Sequence, residues 1–192
     1  MYEHYIHIPA LTDDINQCQI FHDITFYSPE ETSYNCILLT AECDIFQEKC
    51  DYYTIAAILP FDILFSKQLE KMDIQISNFK NDSLTKGNKK EIFQFLDYFL
   101  NNRFERYHWL GDLPSQIGWW YIDFSIIQTI DKSHKDKLLE NRFAKLDSPL
   151  KESVFVKFSN YLGRVGLPTE KTETEALAQQ IFDQYKVLPS IA

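Results

Sequence analysis

The sequence predicts an α+β fold: a small β-barrel with helices inserted into it and appended to it. Two observations carry this. Two short apolar runs, Cys36–Leu39 and Tyr52–Leu59, read as buried strands bounded by polar residues. The apolar period then changes from two to three or four after Pro60, returns to extended chain near Arg106, and becomes helical again over the last third. Strands, helices, strands and helices in blocks, without regular alternation, argue against a parallel βαβ sheet.

The elements follow in order. Cys18 to Tyr27 alternates in part, which predicts a strand with Cys18, Ile20, His22, Ile24 and Phe26 on one face. Ser28-Pro29 opens a turn, and the two central strands follow. Phe61, Leu64, Phe65, Leu69, Met72 and Ile76 space a helix. Residues 78–90 read as a polar, mobile loop with Gly87, and Asn88-x-x-Glu91 as the cap of a second helix carrying Ile92, Phe95, Leu96 and Phe99. Arg106–Leu110 is extended. Gly118–Ile130 is a strand with Trp120, Ile122, Phe124 and Ile126 on one side and Trp119, Tyr121 and Asp123 on the other.

A helix from Ser133 is expected to carry Leu138, Leu139, Phe143 and Leu146, and another follows Ser148-Pro149 as far as Gly163. Gly166-Leu-Pro168 turns into a final helix with Leu177, Ala178, Ile181, Phe182 and Tyr185. The expected division is therefore a barrel domain over 1–130, with a helical insertion at about 61–104, and a helical segment over 131–192 packed on it.

Composition bounds the function. Of 192 residues 45% are hydrophobic and 15% aromatic, enough to build a substantial core. A net charge of −9 argues against binding nucleic acid by phosphate neutralisation. The first residues show no basic stretch leading into an apolar one, so no signal peptide is expected. No apolar run is long enough to cross a membrane. Four cysteines without a secretory signal are expected to stay reduced, in a cytoplasmic protein.

Cys43-Asp44, just past the first central strand, is the foremost candidate site. The thiol could act as a nucleophile or the carboxylate as a general acid or base. An adjacent negative charge raises a thiol pKa, however, so the expectation is that the pair packs and ties a turn. His108 could be a base oriented by Asp112 or Asp123, but its place between Tyr107 and Trp109 favours a satisfied, half-buried histidine. Asp123, in an aromatic strand, either faces solvent or is buried against an arginine, for which Arg164 is the guess. Arg164 could also hold an anion, or simply answer a helix dipole. Trp119, Trp120 and Tyr121 are read as core packing or a protein interface. The spacings His4-x-x-His7, Cys18-x-x-x-His22 and Cys43–Cys50 do not make a zinc site. In a strand Cys18 and His22 would stand about 13 Å apart. No metal or cofactor is expected.

Two resemblances arise at these residues. Asp14-Ile15, Cys36-Ile-Leu-Leu-Thr40 and Thr54-Ile-Ala-Ala-Ile-Leu-Pro60 look like the PemK-like toxin barrels, which implies an SH3-like barrel. The ribonucleases of that family use an arginine before the first of these strands and a Thr or Ser after the second. Here Tyr34-Asn35 and Phe61-Asp62 stand there, so those catalytic residues do not carry over. Leu39-Thr-Ala-Glu-Cys-Asp-Ile45, with Phe158-x-x-Tyr161-Leu-Gly-Arg-Val-Gly-Leu-Pro168, resembles a group of uncharacterised bacterial proteins with a T-x-x-C-D turn and a terminal R-[VI]-G-x-P. That implies a bacterial origin and no particular activity.

The leading expectation is a non-catalytic module that binds another protein subunit, as an accessory part of a bacterial multi-gene system such as phage defence. The first alternative is a hydrolase acting on nucleic acid, with Cys43, Asp44, His108 and Asp123 around one pocket. The second is an antitoxin or acidic nucleic-acid mimic.

Overall fold

A computed structural model describes residues 5–10, 14–28, 30–80, 83–163 and 174–187. It divides into two compact units, Met1–Pro60 with Glu105–Gly166, and Phe61–Phe104 with Leu167–Ala192.

The first unit is built on a seven-stranded antiparallel sheet of β1 (Ile6–His7), β2 (Gln19–Phe26), β3 (Thr32–Leu38), β4 (Tyr52–Pro60), β5 (Tyr107–Asp112), β6 (Trp119–Asp131) and β7 (Arg142–Leu146). The spatial order is β1-β7-β2-β3-β4-β6-β5. The fold is α+β, but the sheet is not closed into a barrel: β1 and β5 remain as edges. Three short or medium helices belong to this unit: α1 (Glu42–Phe46), α5 (Lys135–Glu140) and α6 (Leu150–Gly163).

Each sheet face has its own apolar layer. On one, Ile20, Ile37, Ile58, Ile122 and Phe124 meet Leu150, Val154 and Phe158 of α6. On the other, Phe21, Phe26, Leu38 and Ile55 meet Leu138 of α5. Strands sandwiched this way read as continuous apolar runs, which is why β3 and β4 stand out in the sequence.

Bulges make both layers possible. The register of β2 against β3 shifts between Phe21 and Ile24, with Asp23 at φ +47°. Cys18 and Ile20 therefore face α6, whereas Ile24 and Phe26 face the opposite layer, contrary to the single face expected. In β6 the register against β4 slips by three residues, Ala56 pairing Ile127 and Ala57 pairing Asp123. Phe124 consequently packs toward α6 and Ile126 toward the other side. A third shift, at Leu110 in β5, is relieved by Gly111 at φ +82°, a conformation that needs no Cβ to be accommodated.

The expected helix from Ser133 to Leu146 is a helix followed by a strand. Asp131 caps a 3-10 turn, Lys132–His134, by accepting from the Ser133 N–H at 2.9 Å, and α5 ends at Glu140. Arg142–Leu146 then pairs with β1 and β2, with Ala144 and Leu146 inward. Leu138, Leu139, Phe143 and Leu146 fit a helical period only if Ala144 is ignored. With it, the last five residues alternate.

The second unit is helical: α2 (Phe61–Lys71), α3 (Ser77–Lys80), α4 (Lys86–Leu100) and α7 (Thr174–Val187). Its core is a phenylalanine cluster. Phe61 lies 4.9 Å from Phe99, Phe65 lies 6.2 Å from Phe95, and Phe182 of α7 lies 5.2 Å from both Phe79 and Phe93. Residues 78–90 are not one loop. Phe79 and Leu84 are buried, and α4 begins at Lys86, capped by the Thr85 hydroxyl accepting from the Asn88 N–H at 3.1 Å. The cap thus lies three residues ahead of the one expected at Asn88.

Candidate functional site

The Cys43-Asp44 corner is a turn clamped from both ends. At its start the Thr40 hydroxyl, buried, accepts from the Thr54 N–H at 2.7 Å, which fixes the chain leaving β3 against β4. Glu42 pairs with Lys151 of α6 at 2.5 Å. At the end, the Asp44 carbonyl accepts from the Lys49 N–H at 2.9 Å, and the Cys50 thiol lies 3.7 Å from the same oxygen. Cys43 is exposed, its sulfur 3.7 Å from the Asp44 carboxylate. Among the described residues no imidazole is hydrogen-bonded to either side chain.

A hollow of about 310 Å³ lies beside this corner, lined by Asp14, Ile45, Phe46, Cys50, Tyr53 and Lys135 among others. Neither Cys43 nor Asp44 lines it. Within it Lys135 pairs with Asp14 at 2.5 Å, which holds the Asp14 carboxyl below its usual range and the Lys135 ammonium above its own. Burial raises the Tyr53 phenol. The other two cysteines are core residues, and burial pushes the Cys18 thiol up to about 12 and Cys36 up as well. Neither supplies a thiolate near neutral pH.

His108 and Asp123 sit elsewhere in the same unit, and they point apart. His108 pairs with Ile122 across the β5–β6 ladder, so it shares the face that meets α6, while Asp123 pairs with Tyr107. His108 is fully buried, and neither ring nitrogen has a hydrogen-bond partner. The proposed pairings with Asp112 and Asp123 are therefore not formed. Burial, reinforced by the nearby Lys157 charge, lowers the imidazole pKa to about 3.

Asp123 is buried against an arginine, and that arginine is Arg106. The guanidinium donates to both carboxylate oxygens, Nε at 2.7 Å and Nη2 at 2.6 Å, and lies 5.1 Å from the Tyr107 ring. The Ser125 N–H and hydroxyl donate to Asp123 Oδ1 at 2.9 and 2.7 Å. The hydrogen bonds from Arg106 to this carboxylate raise the guanidinium pKa. Asp123 thus secures the three-residue bulge of β6. Arg164, the other candidate partner, lies outside the described residues.

Trp119 and Tyr121 are buried, and Trp120 is half-buried against the layer beneath α6. The Trp120 indole nitrogen is enclosed with no hydrogen-bond partner. Among the described residues no cluster of His, Cys, Asp and Glu could hold a metal. His7 instead pairs with Asp147 at 3.0 Å, and His22 stacks on Phe143 at 3.6 Å. His4 lies outside the described residues.

One feature has no advance signal in the sequence. The sheet curls until the second half of β6 reaches β2, where a side chain does what a strand would do in a closed barrel. The Gln128 amide accepts from the Tyr27 N–H at 2.9 Å and donates to the Thr25 carbonyl at 3.0 Å. Pairing with β7 has ended by Phe21, so these β2 groups have no strand partner on that side. Beside this bridge lies a second cleft, of about 290 Å³, whose lining includes Ile24, Tyr27, Asp131, His134, Lys137 and Leu138.

Gln128→Ala should lower stability by about 1–2 kcal/mol in urea unfolding, with faster hydrogen exchange at the Tyr27 amide. Gln128→Glu keeps the acceptor but loses the donor, so it should cost at least as much at pH 7. Unchanged Tyr27 exchange in both variants would show the bridge to be idle.

Compared with known proteins, the chain matches no protein-family model and no curated protein.

Proposed function

We propose that this chain is a non-catalytic module that binds another protein as an accessory subunit, through the outer face of α6. The observation that carries this reading is the apolar stripe on that face. Phe155, Val156 and Leu162 are 37%, 45% and 63% exposed on a helix that buries Leu150, Val154 and Phe158 in the sheet layer. Phe155 and Leu162 are two turns apart on one line with Ser159 between them, and Val156 lies more than a quarter-turn round the helix. Exposed apolar side chains on a helix are what helix-in-groove recognition uses.

The residues that a hydrolase would need support the same reading from the other side. Asp123 is held by Arg106 and Ser125, His108 is neutral and enclosed, and among the described residues Cys43 meets the Asp44 carboxylate but no imidazole. No single pocket among those described is lined by all four. Among the described residues no helix is long and apolar enough to cross a membrane.

The test is affinity capture from the native host with quantitative mass spectrometry, comparing wild type, Cys43→Ala, Asp44→Ala and the double variant Phe155→Glu/Leu162→Glu. All four should purify with the same circular dichroism. A protein enriched by the first three and lost with the double variant is the expected result. Equal capture by all four would reject α6 as the docking face, and loss with Cys43→Ala or Asp44→Ala alone would move the site to the corner.

A further inference from the structure

The cleft beside the Gln128 bridge has a makeup that selects a ligand class. Its floor is apolar: Ile24 and Leu138 are buried, and Ile130 is half-buried. Tyr27 stands beside it, 70% exposed, an aromatic ring left open to solvent at the end of β2. Both signs of charge meet at the rim. Asp131 is anchored by the Ser133 N–H, and this hydrogen bond, aided by the nearby His134 and Lys132, keeps its carboxylate ionised below the ordinary range. Lys137 follows His134 by one turn of α5, and among the described residues neither side chain makes a hydrogen bond or ion pair.

This contrasts with the neighbouring hollow, where Lys135 is already matched by Asp14. A volume of about 290 Å³ lies at the lower end of small-molecule sites, too small to enclose a nucleotide or a folded peptide. A simple anion would leave Asp131 opposed to it, and a simple cation would face Lys137. A molecule carrying both charges at one end and an apolar group at the other answers the charged rim and the apolar floor together.

We propose that this cleft binds a small zwitterion with an apolar body, of the class of the apolar α-amino acids. Its ammonium is held by Asp131, its carboxylate by Lys137 and His134, and its side chain by Ile24, Ile130 and Leu138 beside Tyr27. The Gln128 bridge fixes β2 against β6, so the floor and the rim are preorganised. This site is separate from the α6 face, and neither proposal depends on the other.

The full-length chain would be titrated calorimetrically with L-leucine, L-isoleucine and L-phenylalanine, and with the N-acetyl and amide derivatives of whichever binds. At least one free amino acid should bind, and blocking either its amine or its carboxylate should weaken binding about tenfold or more, as loss of a charged hydrogen bond does. Asp131→Asn keeps an oxygen for the Ser133 N–H, and Lys137→Gln changes an exposed side chain. Both should fold, as judged by circular dichroism, and should weaken binding by a similar factor. Absence of binding by all three amino acids at millimolar concentration would overturn the proposal. So would blocked derivatives that bind as well as the free form, or unchanged affinity in both variants.

Discussion

Arg106→Ala should lower the unfolding free energy by about 2–3 kcal/mol, which urea denaturation would measure directly. The Asp123 side chain is only 3% exposed, so removal of its bidentate partner leaves a buried carboxyl group in the sheet with Ser125 as its remaining donor. Breaking a buried pair from one side costs about 3–5 kcal/mol, and the half-exposure of Arg106 to solvent places this case below that range. Arg106→Lys should recover little, because an ammonium cannot meet both oxygens in the plane of the carboxylate. Removing both charges with Arg106→Met/Asp123→Leu should cost less than Arg106→Ala alone, since no unpaired charge then remains. The consequence for the fold is local. Asp123 begins the register slip that sends Phe124 toward α6 and Ile126 toward the other layer, so Arg106→Ala should also broaden NMR signals in residues 123–127. A loss under about 1 kcal/mol, or a double variant worse than the single, would show that the pair does not hold the bulge.

The same residues show what could be read from the chain and what could not. β3, β4, α2 and α6 were legible because each buries one uninterrupted apolar pattern, of period two or of three to four, between clear stops such as Pro60 and Pro149. The α+β class followed from their order. Closure of the sheet did not, because it depends on how far β6 travels round to β2. That distance is set by bulges at residues 22–23, 110 and 124–126. A bulge is one to three residues without a pairing partner, and nothing in local composition separates it from ordinary strand except an occasional positive φ, as at Asp23 and Gly111.

At the candidate site, Asp123 within an aromatic strand left two readings, facing solvent or buried against an arginine, and the structure takes the second. Its partner was not legible. Arg106 meets it only through the β5–β6 register, which pairs Tyr107 with Asp123, whereas Arg164 attracted notice by its place past a helix end. Gln128, Asp131, His134 and Lys137 carried no signal at all. They are ordinary polar residues in sequence, and become a bridge and a rim only when β2, β6 and α5 converge.

His108 leads to the second large effect. Its imidazole occupies the layer under α6 with both nitrogens unpaired, next to Lys157, whose own ammonium is destabilised chiefly by burial. A buried polar group without partners costs about 1–3 kcal/mol, so His108→Leu, apolar and of similar bulk, should raise stability by about 1–2 kcal/mol at pH 7. The dependence on pH should also change. In the folded chain the imidazole pKa is lowered to about 3, against about 6.5 when unfolded, so between these values the unfolded state takes up a proton that the native state refuses. The contribution is intact above pH 6.5 and is lost as pH falls, by about 2 kcal/mol at pH 5. Paired carboxylates such as Asp14 add their own acid dependence, but they are common to both proteins. The difference between the wild-type and His108→Leu stability curves therefore isolates His108. That difference should widen steadily from pH 7 to pH 5. Curves that run parallel over this interval would mean the ring is protonated or hydrogen-bonded in the native state, and would reopen its candidacy as an acid or base.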